Sequence, residues 1–238
     1  MSDKQHSGLS PEFDDADEGI DVGTGTRTAC ILLLDTSGSM SGKKISRLND
    51  GLQRLEEDLK ADDVARMSVE VAAVTFGGSV QQEMGFTLAD KYRSPTLRAG
   101  GRTSMYGALL EGLEMVADRK AYYDRQGLEY NRPWVWLMTD GRPTDNGKKT
   151  SAIQEVKTVV NQKGATVFAV GIGDDADFGV LEEVSPERSP LKLKGMAFRE
   201  MFIWLSNSLG SVSRSKPDQG QVPLEKPTGE HGWAEVKT

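Results

Sequence analysis

Between residues 28 and 213, short apolar runs alternate with segments whose apolar positions recur three and four residues apart. Such alternation marks strands separated by amphipathic helices. Ala29 to Leu34 is apolar throughout and closes on Asp35, as a central parallel strand covered on both faces requires. Ile45, Leu48, Leu52, Leu55 and Leu59 then share one helix face. Ser68 to Phe76 reads as a second strand. The pair Gly77-Gly78 turns the chain so tightly into Ser79 to Phe86 that this third strand should lie antiparallel, at an edge. Further on, the pattern predicts helices over Ser104 to about Tyr123, Thr150 to Lys163, Phe178 to Val184 and Ala197 to Ser213. Strands are predicted at Trp134 to Thr139, Ala165 to Ile172 and Leu191 to Leu193. The order implies an α/β fold: a doubly wound, mostly parallel sheet with one antiparallel edge strand and helices on both faces.

The flanks differ in composition. Residues 1–27 carry Asp14, Asp15, Asp17, Glu18 and Asp21 with few apolar anchors, so they read as a flexible acidic lead-in. From residue 214 to 238 the chain is rich in Lys, Pro and Gly, and reads as a flexible tail in which Trp233 alone offers a docking point. One folded domain, residues 28–213, lies between them.

Charge and cysteine usage narrow the function classes. The formal net charge is −7, and Lys43, Lys44, Arg47, Arg54 and Lys60 lie among acids along one helix, as on a solvated face. No nucleic-acid partner is expected. No stretch approaches the ~20 apolar residues of a membrane span, and Met1-Ser2-Asp3-Lys4 does not resemble a secretory signal. The single cysteine, Cys30, sits inside an apolar run and reads as a buried, inert thiol. A cytoplasmic location fits these features.

Three separated segments fall at predicted carboxyl ends of strands or just before a helix. Asp35-Thr36-Ser37-Gly38-Ser39 follows the first strand, Gly100-Gly101-Arg102-Thr103 precedes a helix, and Thr139-Asp140-Gly141 ends the Trp134 strand. Ligands of such sheets bind in the crevice beyond the strands' carboxyl ends. Asp35, Ser37, Ser39, Thr103 and Asp140 offer two carboxylates and three hydroxyls, hard oxygen donors that suit Mg²⁺, Mn²⁺ or Ca²⁺ rather than zinc or copper. Ser104, beside Thr103, offers a further hydroxyl. Taken singly, Asp35 and Asp140 also fit turn and cap positions, and Asp145 in Pro143-Thr144-Asp145 reads as a turn residue outside the site. Trp134 and Trp136, two apart on one strand, read as core, and Trp204 as half exposed on its helix.

With these segments in this order, the chain resembles the von Willebrand factor type A (VWA) domains and their metal-ion-dependent adhesion site. The resemblance implies the Rossmann-like VWA fold. It also implies that Ser37 and Ser39 bind a metal directly, Thr103 directly or through water, and Asp35 and Asp140 largely through water. The remaining position would take an acidic side chain from a protein partner. Leu32-Leu33-Leu34-Asp35-Thr36-Ser37-Gly38-Ser39-Met40, Asn49-x-Gly51-Leu52-Gln53 and Arg132-Pro133-Trp134 through Asp145 are most similar to bacterial tellurium-resistance-associated (TerY-type) VWA proteins. That resemblance implies a stress or defence assembly with a PP2C-type phosphatase and a protein kinase.

Enzymatic readings fit less well. A phosphotransferase beginning with a strand-end aspartate needs a second aspartate where Ser37 stands. Gly38 to Lys44 is one residue short of a P-loop and ends in Lys44 where a hydroxyl belongs. The two histidines, His6 and His231, lie in the predicted flanks, away from Ser37 and Ser39. The expected function is metal-dependent protein binding without catalysis. The alternative is a phosphate-directed site, either a phosphopeptide reader or a weak phosphoester hydrolase.

Overall fold

The computed structural model describes residues 25–217, 222–230 and 232–236. The first apolar run forms β1 (Thr28–Asp35), every residue of which is buried. Its side chains alternate between two cores. Cys30, Leu32 and Leu34 face one, while Ile31 and Leu33 face the other, because successive side chains of a strand point to opposite faces.

The first core is closed by α1 (Lys43–Ala61) and α6 (Phe198–Ser213). Leu48, Leu52, Leu55 and Leu59 pack there with Phe198, Phe202, Leu205 and Leu209. Gly51 lets the two helices approach, since a Cβ there would stand 2.5 Å from Cδ2 of Phe202. The second core is closed by α3 (Met105–Gln126), α4 (Lys149–Asn161) and α5 (Phe178–Val184). A four-residue helix, α2 (Ala65–Ser68), leads into the second strand.

Among the described residues the sheet has seven strands, in the order β3-β2-β1-β4-β5-β6-β7. They are β2 (Val69–Gly77), β3 (Ser79–Leu88), β4 (Trp134–Thr139), β5 (Thr166–Ile172), β6 (Leu191–Leu193) and β7 (Ala234–Val236). β1, β2, β4, β5 and β6 run parallel, with β1 between β2 and β4. The doubly wound sheet and its helical layers are those expected. The chain leaves β1 toward β2 and β3, then crosses by α3 to β4 on the other side. The switch point therefore lies between the carboxyl ends of β1 and β4.

The expected antiparallel edge strand is β3. A second one was not expected: β7 pairs antiparallel with β6 at the opposite edge. The stretch read as a flexible tail from residue 214 thus contributes to the domain. Trp233 is buried against Trp136 and Trp204, with ring centroids 6.2 and 5.8 Å away. Trp204 is buried rather than half exposed, and its Nε1 donates to the Glu225 carbonyl at 2.8 Å. Trp134 and Trp136 are core residues, as expected. Most of the acidic lead-in, residues 1–24, lies outside the described residues, but Arg27 is already anchored. Its amide donates to the Glu129 carbonyl at 2.7 Å, and its guanidinium reaches the Met67 carbonyl at 2.7 Å. No helix among the described residues is long and apolar enough to cross a membrane.

Candidate metal centre

The three predicted segments meet in the crevice between β1 and β4. Asp35 ends β1 and Asp140 directly follows β4, so the parallel register of the two strands brings both carboxylates to the same edge. Both are fully buried. Asp35 Oδ1 accepts from the Ser37 amide at 2.8 Å, and its Oδ2 accepts from Thr139 Oγ1 at 2.5 Å. Ser37 Oγ lies 3.0 Å from Ser39 Oγ, which donates to Asp140 Oδ1 at 2.6 Å. One chain of polar contacts therefore links the two serines to Asp140, while Asp35 holds the loop that carries them.

The Thr103 segment is laced to this loop through glycines. The Gly38 amide donates to the Gly101 carbonyl at 3.1 Å, and the Gly100 amide to the Thr36 carbonyl at 2.7 Å. Gly101 has φ +77°, and a Cβ there would press within 2.7 Å of the Gly77 carbonyl oxygen. Only glycine fits that conformation and that contact without strain. From the other side, the Thr144 amide donates to the Thr103 carbonyl at 2.8 Å and its Oγ1 to the same oxygen at 3.1 Å. Thr103 is buried, with its hydroxyl toward Gly141. The neighbouring hydroxyl of Ser104 instead contacts the Gly78 carbonyl, at 3.5 Å.

The donor set can be tested against a divalent cation. A Cβ on Gly141 would stand 3.6 Å from Thr103 Oγ1 and 3.7 Å from Ser39 Oγ, so Gly141 lies next to both hydroxyls. Ser39 is exposed and forms the mouth. Among the described residues no group of three or more His, Cys, Asp or Glu side chains forms a competing metal cluster. Two carboxylates and three hydroxyls on these neighbouring loops are donors of the kind a hard, oxygen-seeking ion takes. Burial pushes the Asp35 carboxyl above its ordinary range and Asp140 adds to the effect, while hydrogen bonds from Ser37 and Thr139 oppose it. A cation placed beside it would oppose the rise by favouring the charged carboxylate.

Sequence reasoning overlooked three groups. Lys44, read as part of a solvated face, is largely buried and places its ammonium on Asp140 Oδ2. Thr139 was taken only as the end of its strand. Asp145, read as a turn residue, accepts from the amides of Tyr106 at 3.3 Å and Gly107 at 2.7 Å, and so caps α3 behind Thr103. No signal in the sequence pointed to it, since Ser104 stands at the N-cap position, and only the structure shows that its side chain makes no capping bond.

An open α/β sheet with an oxygen-lined crevice at its switch point defines a domain of the doubly wound class. The von Willebrand factor type A domain profile matches residues 30–200, and the chain belongs to that family. It is 30% identical over 171 residues to inter-alpha-trypsin inhibitor heavy chain H1 of Mesocricetus auratus, covering 67% of this chain and 17% of that protein. It is 27% identical over 161 residues to heavy chain H6 of Homo sapiens, covering 66% of this chain and 12% of that protein. The chain thus spans less than a fifth of the length of these relatives. Among solved structures, a von Willebrand factor type A protein from Catenulispora acidiphila superposes with a TM-score of 0.60 at 17% identity, covering 79% of this chain and 43% of that one. The pilus adhesin SpaC from Lactobacillus rhamnosus GG gives 0.61 at 16% identity, covering 78% and 30%. These two likenesses concern the fold.

Proposed function

We propose that this domain is a divalent-cation-dependent protein-binding module. Ser37, Ser39 and Thr103 would hold Mg²⁺, or in its place Mn²⁺ or Ca²⁺, with Asp35 and Asp140 behind them, and the open side would receive an acidic side chain of a partner. The observation that carries this reading is the chain of contacts from Ser37 through Ser39 to Asp140 at the strand ends, with Asp35 holding the serine loop and Thr103 Oγ1 beside Gly141. A bound cation polarises the carboxylate offered to it. The chain's own contribution is orientation, because Asp35 fixes the serine loop and Thr144 fixes Thr103. Exposed Arg102 precedes Thr103 in the sequence and favours an anionic ligand despite the net charge of −7.

Binding rather than catalysis is the better reading, since both carboxylates are engaged by hydroxyls, an amide or an ammonium and none stands free as a base. More narrowly, the resemblance of the Asp35, Gly51 and Asp140 segments to TerY-type proteins supports a bacterial stress or defence assembly with a PP2C-type phosphatase and a kinase. A cytoplasmic setting belongs to the same proposal and rests on the sequence, whose single cysteine, Cys30, is buried.

Metal titration is the test. Mg²⁺ at a hundredfold excess over its dissociation constant should stabilise the wild type by about 2.7 kcal/mol, and should leave Ser37→Ala/Ser39→Ala unmoved. Partner capture from host lysate should then require Mg²⁺ and fail with EDTA or with the double variant. Equal capture in all three conditions would show that binding bypasses the metal.

A further inference from the structure

We propose that Lys44 is a built-in counter-cation of this site, one that holds Asp140 while no metal is present and weakens the site's grip on the divalent ion. The inference rests on the metal reading above and adds to it how tightly the ion is held.

Lys44 is the second residue of α1, and its placement runs against the local electrostatics. A helix N-terminus carries partial positive charge and favours acidic side chains. Yet α1 opens with Lys43-Lys44 and has no acidic residue in its first turn. Lys43 is exposed, whereas the side chain of Lys44 is only 21% exposed and ends on Asp140 Oδ2. The other oxygen of Asp140 accepts from Ser39 Oγ at 2.6 Å, so the ammonium and a serine of the proposed metal site share a single carboxylate.

The charge count makes the consequence specific. Asp35 and Asp140 together bring −2, Lys44 brings +1, and the site is left at −1. Without the lysine, two fully buried carboxylates would face one crevice with no cation on Asp140, and leaving a buried charge unpaired is strongly destabilising. A divalent ion then meets a site that is half neutralised and carries a fixed positive charge at its rim. A unit charge and a divalent charge a few ångströms apart repel enough to cost a factor of about ten in binding, even at the dielectric constant of water. With Lys44 in place the loaded site carries a net +1 and attracts an anion. With the lysine neutralised it would carry none.

Lys44 therefore acts in opposite directions on the two states. Its removal should harm the metal-free protein and help metal binding, whereas a merely structural lysine would harm both when removed. Calorimetric titration of the full chain with Mn²⁺ alone, on wild type, Lys44→Met and Lys44→Arg, separates these cases. Thermal unfolding of each in EDTA and in saturating Mn²⁺ completes the test. Lys44→Met should bind Mn²⁺ about tenfold more tightly than wild type, and Lys44→Arg, which keeps the charge, within about twofold. In EDTA, Lys44→Met should melt below wild type, and saturating Mn²⁺ should close most of that gap. Should Lys44→Met fail to fold in EDTA, Mn²⁺ must restore it; failure to do so overturns the proposal. Unchanged or weaker Mn²⁺ binding by a folded Lys44→Met also overturns it, while leaving the metal site standing. If wild type and both variants all ignore Mn²⁺, the metal reading fails first, and the role of Lys44 falls with it.

Discussion

Asp35 is a carboxylate held where water cannot reach it. Burial raises its pKa, the proximity of Asp140 raises it further, and the Ser37 and Thr139 hydrogen bonds only partly compensate. A raised carboxyl binds its proton more tightly in the folded than in the unfolded state. The metal-free protein therefore bears the full penalty above the folded pKa, and the penalty is relieved as pH falls from there toward the ordinary carboxylate value. On the proposed metal reading the dependence of binding is opposite, because protonation removes a negative charge beside the cation, so affinity should drop as pH falls through the raised pKa. Asp35→Asn keeps the acceptor for the Ser37 amide and removes the charge. It is expected to raise the melting temperature in EDTA at neutral pH and to abolish the further rise on adding Mg²⁺. A lower melting temperature in EDTA would show that the hydrogen bonds outweigh the burial.

At the level of elements, the site depends on a helix capped by another loop. α3 opens beside Thr103 without a capping side chain of its own, and Asp145, from the loop after β4, supplies the missing acceptor. A carboxylate also suits the positive end of that helix. The loop that follows Asp140 thus fixes the start of the helix behind Thr103, which couples two of the three site segments mechanically. Asp145→Ala should cost about 1 kcal/mol in urea unfolding, as the loss of a helix cap does. It should also weaken Mg²⁺ binding several-fold. Asp145→Asn, which keeps an acceptor, should lose less on both measures. A variant that loses stability but no affinity would show that Thr103 is held by Thr144 alone.

Across the whole molecule, the chain closes its sheet with a strand from far down the sequence. β7 covers β6, and Trp233 joins Trp134, Trp136, Phe168 and Trp204 in one aromatic group beneath it. Without this cover β6, only three residues long, would leave an open edge and an apolar face beside it. Trp233→Ala should therefore destabilise the domain by about 3 kcal/mol, read from the urea midpoint at an unchanged slope. A shift within experimental error would mean that the C-terminal segment sits on a domain already complete.

The sequence by itself determined the layered sheet, the order of its elements and the position of the crevice. These follow from information carried locally: an unbroken apolar run for a strand buried on both faces, a three-and-four spacing for a helix face, a glycine pair for a tight turn. The meeting of the segments that carry Asp35, Ser37, Ser39, Thr103 and Asp140 was legible for the same reason, since each lies at a strand exit or just ahead of a helix, and the winding of the sheet brings such points together. The tertiary structure alone decided which charges meet. Lys44 and Asp140 are 96 residues apart and Asp145 and Gly107 are 38 apart, and nothing near any of them in sequence names the partner. The same holds for β7, three residues among Pro, Gly and Lys, whose pairing depends on a free edge that exists only once β6 has docked. Periodicity is a property of neighbours along the chain, whereas ion pairs, borrowed caps and edge strands are chosen by proximity in space.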